Sequence, residues 1–244
     1  MDDPPGRRQF DTTQWSLVAA AGADDASRTR AREALEQLCR DYWFPLYAFV
    51  RSRGHSVADA QDLTQAFFAN LLESGGFASA DRDRGRFRSY LLGAMKHFLA
   101  NEWHRARTKK RGGEIRFLEW DAEQSPEDRF AAAAATGNPE QRFDREWALE
   151  TVASALDALR REMEAAGKRA QFDALRGSLT GAEETSRKEI AGRLGMSEGA
   201  VKVAVHRLRR RYRHLLRAVV AETVGTEAGL DDEMRYLLEV LRRQ

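Results

Sequence analysis

The sequence has few of the features found in secreted or membrane proteins. A single cysteine, Cys39, excludes an internal disulfide, which is typical of a protein that works in a reducing cytoplasm. The first residues, Met1 to Pro5, are acidic and do not begin an apolar signal-peptide core. No stretch approaches the ~20 apolar residues of a membrane span. We therefore expect a soluble, cytoplasmic chain with no membrane insertion.

Strand-like alternation is also lacking, and there are only five prolines in 244 residues. Apolar residues recur instead at steps of three and four, the period of the α-helix, as Leu35, Leu38 and Tyr42 do. This pattern predicts an all-α fold, with Pro45 kinking or splitting one helix. The predicted helices span 10–22, 27–53, 57–73, 87–108, a region from about 141 to 179, a region from 187 past 206, and 226–244.

Residue patterns for catalysis are scarce as well. The five histidines lack metal-ligand spacing, and no glycine loop ending in Lys-Ser or Lys-Thr is present to hold a phosphate. Asp81 and Asp83 form the one tight acidic pair in a basic setting, and they lack matching ligands. We therefore predict no enzyme activity, no metal and no cofactor. A nucleic-acid enzyme is the alternative that these residues support least.

Charge is distributed unevenly along the chain, although the net charge is only +2. Residues 82–116 contain 11 Lys and Arg against 3 Asp and Glu, and residues 186–217 contain 10 against 2. Between these blocks, residues 117–150 contain 3 against 9. Each basic block is interleaved with apolar residues at helical spacing. This pattern indicates two surfaces that bind a polyanion, joined by an acidic segment that avoids it.

The second basic block contains a helix-turn-helix pattern at 187–206. This motif needs small or apolar residues at fixed offsets, because two short helices cross closely over a tight turn. Ile190 and Leu194 form the apolar side of the first helix, Ala191 is small where the helices touch, and Gly195 stands at the turn. Ser197 is placed to cap the second helix. A generic helical hairpin is the alternative.

The second helix of this motif predicts how duplex DNA is read. A recognition helix contacts base edges from its first turns, while cations bind the phosphates on either side. Further arginines up to Arg213 are expected to add salt-sensitive affinity. The predicted contacts are Arg187, Ser197, Glu198, Gly199, Ala200, Lys202, Val203, His206, Arg207 and Arg210.

Three segments together resemble the extracytoplasmic-function sigma factors, a group within the sigma-70 family of RNA polymerase initiation factors. Asp59 to Phe68 resembles their polymerase-clamp-binding helix. Phe87 to Arg111 resembles their promoter-melting region, and Ser186 to Arg211 resembles their second DNA-binding domain. The similarity covers roughly 28–112 and 141–217, in the order that the family has.

The resemblance implies two helical domains joined by a flexible acidic linker. After an N-terminal extension at 1–27, a sigma region 2-like bundle spans 28–113 and a linker spans 114–140. A sigma region 4-like helix-turn-helix domain at 141–217 is expected to read the −35 element. The remaining segment, 218–244, is expected to form a helix that either packs on the second domain or provides a regulatory surface.

The resemblance also implies partners and contact residues. The chain would bind core RNA polymerase, at the largest-subunit clamp and the flap, and direct promoter recognition, melting and transcription initiation. The implied polymerase-binding residues are Asp59, Asp62, Thr64 and Gln65. The implied contacts to the −10 element are Arg86, Arg88, Tyr90, His97, Asn101, Trp103, Arg105, Arg107, Lys109, Lys110 and Arg111.

Regulation is implied at one of these positions. Thr64 stands where the family usually has an aliphatic residue, and some members are activated by a serine/threonine kinase near this place. Thr64 is therefore a candidate phosphosite, because a phosphate would add charge where a basic clamp helix docks. A cognate anti-sigma factor is the other candidate regulator. The main alternative function is a helix-turn-helix regulator that binds duplex DNA without being a polymerase subunit.

Overall fold

The computed structural model describes residues 25–73, 86–108, 125–132, 137–180, 186–224 and 226–243. These residues contain ten helices and no strand, so the predicted all-α fold is confirmed. The helices are α1 (Asp25–Ser52), α2 (Val57–Glu73), α3 (Phe87–Thr108), α4 (Pro126–Ala132), α5 (Pro139–Ala165), α6 (Arg169–Leu175), α7 (Gly177–Thr180), α8 (Arg187–Leu194), α9 (Glu198–Ala221) and α10 (Glu227–Arg242).

Most predicted helices are present with nearly the predicted bounds. α2 and α3 begin and end where the apolar spacing and the Ser56 cap place them. Of the two alternatives for Pro45, a kink or a split, the split is wrong, because α1 continues through Pro45. Residues 44–50 are all buried, and this packing outweighs the ~3 kcal/mol that a proline costs inside a helix. The predicted helix at 10–22 lies outside the described residues.

The chain divides into two compact units. Unit 1 comprises residues 1–150 and 220–244, and unit 2 comprises residues 151–219. The core of unit 1 is rich in aromatic side chains contributed by several helices. Tyr42 of α1 meets Phe87 of α3 edge-to-face at 5.3 Å, and Phe67 of α2 meets Phe98 of α3 at 5.8 Å. Such pairs add stabilisation beyond the burial of their area.

Part of the predicted linker is a helix of unit 1 rather than a free segment. Glu127 of α4 pairs with Arg51 of α1 at 2.6 Å and accepts a hydrogen bond from the Tyr47 hydroxyl at 2.8 Å. Arg129 places its guanidinium 3.7 Å from the centre of the Phe44 ring. One carboxylate of this acidic stretch, that of Glu127, therefore attaches α4 to α1.

The C-terminal helix α10 belongs to unit 1, so of the two alternatives for 218–244, packing on the second domain is not what the structure has. Leu230, Leu237 and Val240 form its buried side. The Tyr236 hydroxyl donates to Asp144 of α5 at 2.6 Å. These contacts make α10 part of the same packed body as α1, α3 and the first turns of α5.

Unit 2 is built around one small apolar core. α8 and α9 contribute Ile190, Ala191, Val201 and Leu208, which pack with Leu159 of α5 and with Phe172, Ala174 and Leu175 of α6. Among the helices that the structure describes, none combines the length and the apolar character needed to cross a membrane.

Candidate nucleic-acid interface

The turn between α8 and α9 has the geometry of a helix-turn-helix. The Ser186 hydroxyl accepts the Glu189 amide, and the Glu189 carboxylate accepts the Ser186 amide, so a capping box begins α8. Gly195 ends α8 in the left-handed conformation, at φ 62°, which costs a residue with a side chain about 1 kcal/mol or more. Ser197 then accepts the Ala200 amide at 3.2 Å and begins α9.

One side of α9 is anchored by the core, which leaves the other side facing solvent. Val201 is completely buried and Leu208 nearly so. The predicted contact residues Arg187, Ser197, Glu198, Gly199, Lys202, Val203, His206, Arg207 and Arg210 are exposed, and Ala200 is half-buried. We call the exposed set on α9, Lys202, Val203, His206, Arg207 and Arg210, the recognition face. Within the described residues, its three cations make no ion pair.

Two other arginines of α9 contact other parts of unit 2, and the sequence did not predict these contacts. Arg209 donates to the Ser178 carbonyl through Nη2 at 2.7 Å and through Nε at 3.1 Å. Arg211 forms a forked pair with Glu162 of α5, with Nε 2.8 Å from Oε2. This hydrogen bond lowers the pKa of Glu162 and raises the pKa of Arg211. Of the arginines near the end of the basic block, these two are therefore directed at the protein.

A second exposed surface lies along α3. His97, Asn101 and His104 follow one another at steps of four and three, and all three are exposed. Trp103 is 57% exposed and meets His104 edge-to-face at 5.2 Å. Exposed aromatic rings on a basic helix can stack on unpaired bases. Tyr90 is half-buried and lies against Phe87 at 6.3 Å.

The cationic continuation of α3 is only partly described. Arg105 and Arg107 lie within α3, but their side chains fall outside the described part. Lys109, Lys110 and Arg111 lie outside the described residues. The predictions for these five positions stay predictions.

The first turn of α3 contradicts the prediction that its arginines contact DNA in this arrangement. Arg88 is buried, with Nε 2.6 Å from Glu233 of α10 and Nη1 2.8 Å from Asp144 of α5. Arg86 is half-buried and pairs with Glu233 at 2.9 Å. Burial by itself would lower the pKa of Arg88. The negative charge and the hydrogen bonds of Glu233, and then the charge of Asp144, have a larger effect, so the pKa of Arg88 is raised.

The structure also differs from what was predicted for Thr64. Its side chain is completely buried, and its hydroxyl donates to the Ala60 carbonyl one turn earlier at 2.7 Å. The structure therefore contradicts its assignment as a polymerase contact and as an accessible phosphosite. Asp59 and Asp62 are exposed, and Gln65 is half-buried. Asp59 also caps the start of α2 together with Ser56, whose hydroxyl donates to it at 2.7 Å.

No group of three His, Cys, Asp or Glu side chains among the described residues is arranged to hold a metal ion. Comparison with known proteins adds no identification. No protein-family model matches this chain, and neither does any curated protein or any solved structure.

Proposed function

We propose that this chain is a transcription-initiation factor of the sigma type. In this role it binds core RNA polymerase, recognises promoter DNA and assists its melting, and catalyses no reaction itself. It acts in the cytoplasm, where polymerase and DNA are. The observation that carries the DNA-binding part is the helix-turn-helix of α8 and α9, with its left-handed glycine turn and its exposed recognition face.

The recognition face has the chemistry for duplex DNA. Lys202 and His206 lie one turn apart near the start of α9, where a recognition helix meets base edges. Arg207 and Arg210 continue along the exposed side and supply cations for backbone phosphates. The rigid core beneath, centred on Val201, keeps the spacing of these side chains fixed.

The polymerase-related part of the proposal is supported by the order of the three sequence segments and by the exposed chemistry of unit 1. Asp59 and Asp62 offer carboxylates on the exposed side of α2 to a basic partner helix of the polymerase clamp. Trp103, His97 and Asn101 on α3 offer stacking and hydrogen bonding to an opened strand of the −10 element. Neither surface requires a catalytic group.

A second candidate is a helix-turn-helix regulator that binds duplex DNA without joining the polymerase. It accounts for the recognition face equally well, but it gives no role to the exposed Trp103 or to the acidic side of α2.

Association with core polymerase separates the two candidates. The purified chain is mixed with core bacterial RNA polymerase, and co-elution and run-off transcription are measured. Stable association with initiation at defined start sites is the expected result. Association should weaken in an Asp59→Lys, Asp62→Lys variant, whereas Asp157→Lys, Asp173→Lys, with the same charge change in unit 2, should bind core normally. Duplex DNA binding without any association with core would contradict the sigma proposal and favour the regulator.

A further inference from the structure

A buried carboxylate on the last helix holds the two arginines that begin α3. Glu233 is 1% exposed, although glutamate is rarely buried without a partner. One of its oxygens lies 2.6 Å from Nε of Arg88, and the other lies 2.9 Å from Nε of Arg86. The two guanidinium groups therefore converge on a single carboxylate that comes from the opposite end of the chain.

The surroundings of this pair suit an anion held by arginines. Arg88 lies over the Tyr236 ring at 4.1 Å and over the Trp147 ring at 4.9 Å. Aromatic rings fix the plane of a guanidinium and leave its edge N–H groups to an acceptor. Two arginines on one carboxylate reproduce the arrangement by which arginines grip a phosphate of nucleic acid.

α10 is attached to unit 1 by a narrow set of contacts. Its buried side consists of Leu230, Glu233, Leu237 and Val240, and most of its other side chains face solvent, including Leu238. The helix has 16 residues, and a helix of this length is marginally stable in water without packing. The ion pairs of Glu233 therefore add to the packing of Leu230, Leu237 and Val240 and to the Tyr236 hydrogen bond in holding α10 in place.

We propose that α10 is an intramolecular competitor of nucleic acid, in which Glu233 occupies the place of a backbone phosphate on Arg86 and Arg88. With α10 docked, Glu233 occupies Arg86 and the Nε edge of Arg88, while His97, Asn101, Trp103 and His104 remain exposed on α3. With α10 displaced, Arg86 and the Nε edge of Arg88 become free to bind phosphate, and Nη1 of Arg88 keeps its pair with Asp144 of α5. The ligand class is the sugar-phosphate backbone of a nucleic acid strand, and its identification with promoter DNA rests on the proposed function.

The same contacts could instead serve only to complete the core of unit 1, and the two roles predict opposite results. If α10 competes with nucleic acid, a mutation that weakens its contacts lets the protein bind nucleic acid more tightly. If α10 only stabilises unit 1, the same mutation leaves nucleic-acid affinity unchanged or lowers it, because unit 1 loses order.

The test compares full-length Glu233→Gln with full-length Glu239→Gln. Both changes remove one negative charge from α10, but Glu239 is exposed and, in the described part of the chain, pairs only with Arg243 directly after the same helix. Affinity for a short fluorescein-labelled single-stranded oligonucleotide is measured by anisotropy over a range of salt concentrations. We expect Glu233→Gln to bind about tenfold more tightly near physiological salt, with a salt slope steeper by about 1 to 1.5 from two added phosphate contacts. Glu239→Gln should stay within about twofold of the original chain.

A triple variant assigns the gain to the arginines. Adding Arg86→Gln and Arg88→Gln to Glu233→Gln should return the affinity and the salt slope to those of the original chain. A Glu233→Gln protein that binds no more tightly than Glu239→Gln overturns the inference. If the original chain binds DNA in that comparison, the proposed function is unaffected. If no variant binds the oligonucleotide, the inference fails, whereas the proposed function is decided separately by association with core polymerase.

A measurement on the unmodified chain makes the test independent of how Glu233→Gln folds. Amide hydrogen exchange of residues 227–242 is followed with and without saturating oligonucleotide. Displacement of α10 predicts faster exchange in this helix when nucleic acid is bound. Unchanged or slower exchange there would show that nucleic acid does not compete with α10 and would overturn the inference.

Discussion

The two basic regions of this chain differ in what their cations do in the folded protein. At the start of α3, Arg86 and Arg88 are drawn inward and paired with the carboxylates of Glu233 and Asp144. On α9, the cations of the recognition face point to solvent. Each block has an excess of eight positive charges in the sequence, yet among the described residues Arg86 and Arg88 of the first are paired with Glu233, whereas Lys202, Arg207 and Arg210 of the second are exposed. The number of basic residues in a segment therefore indicates how strongly it could bind a polyanion. The carboxylates that pair with these residues determine how many of the positive charges are free to do so.

The pairs also differ in what they contribute to stability. An exposed ion pair contributes little, because water screens it and its side chains lose freedom when they are held. Removing one member of a buried pair leaves a charge without compensation, which is strongly destabilising. The arginines of α3 should therefore matter mainly for folding in this arrangement, and the cations of the recognition face mainly for binding. The predictions below separate these roles, from the largest expected effect to the smallest.

Replacing Arg88 with alanine should have the largest effect on stability. The change removes the cation that Glu233 and Asp144 share and leaves them Arg86 and the Tyr236 hydroxyl as partners, so we expect a loss of about 3 kcal/mol in the free energy of unfolding. Arg235→Ala is the matched control, because Arg235 lies on α10, is 77% exposed and, among the described residues, pairs only with Asp232. It should change stability by less than about 0.5 kcal/mol. Urea unfolding followed by circular dichroism measures both, and equal effects would contradict the contrast.

Removing the cations of the recognition face should leave folding intact and weaken binding. In the Lys202→Ala, Arg207→Ala, Arg210→Ala variant, we expect affinity for duplex DNA to fall about 100-fold and the salt slope to decrease by about 2 to 3. The control replaces Arg161, Lys168 and Arg169, three exposed cations outside the helix-turn-helix. A control that loses as much affinity would show that the net charge of unit 2, rather than this face, binds DNA.

Two glycines of the helix-turn-helix should respond in opposite directions to alanine. Gly195 has φ 62°, so Gly195→Ala should cost about 1 to 2 kcal/mol. Gly192 lies inside α8 with open space where a Cβ would stand, so Gly192→Ala should stabilise unit 2 by about 0.5 to 1 kcal/mol. Thermal unfolding of the two variants provides the comparison, and a change of the same sign in both would contradict the assigned turn.

A pH dependence, outside this ranking, is expected from a half-buried carboxylate, Asp41, whose hydrogen-bond partner is the uncharged amide of Gln37. Burial raises the pKa of Asp41 to about 6, against the hydrogen bond from Gln37. The folded state therefore holds this proton at a higher pH than the unfolded chain does, so stability decreases as pH rises from about 4 to about 6. Asp41→Asn should be more stable than the original chain at about pH 8, and the difference should disappear at about pH 4. A pH-independent difference would contradict the shifted pKa.

The ends and buried sides of several helices could be predicted, because the residues that determine them lie within or next to each helix. Ser56 and Ser186 mark the starts of α2 and α8 by capping, and Gly195 marks the end of α8 by its positive φ. Apolar residues at steps of three and four define the buried side of each helix. The exposure of the predicted residues on α9 follows from the burial of Val201.

The errors concern polar residues that lie on the apolar side of a helix. Thr64 follows Ala60 by four positions and precedes Phe67 by three, and Arg88 precedes Leu91 by three, so both lie on a buried stripe. This spacing could have indicated their burial. The partner of Arg88 could not be inferred, because Glu233 is 145 positions away in the sequence. Only the tertiary fold brings them together.

The division of the chain has a consequence for synthesis on the ribosome. Unit 1 is discontinuous, since residues 1–150 and 220–244 form one body and residues 151–219 are made between them. The Phe87 amide donates to the Thr223 carbonyl at 3.3 Å, so α3 finds this partner only after residues 151–219 have been made. At about 5 to 20 residues per second, unit 1 waits roughly 5 to 20 s for α10. During this interval the nascent chain already carries Arg88 but not yet Glu233, and polyanions such as ribosomal RNA are close by.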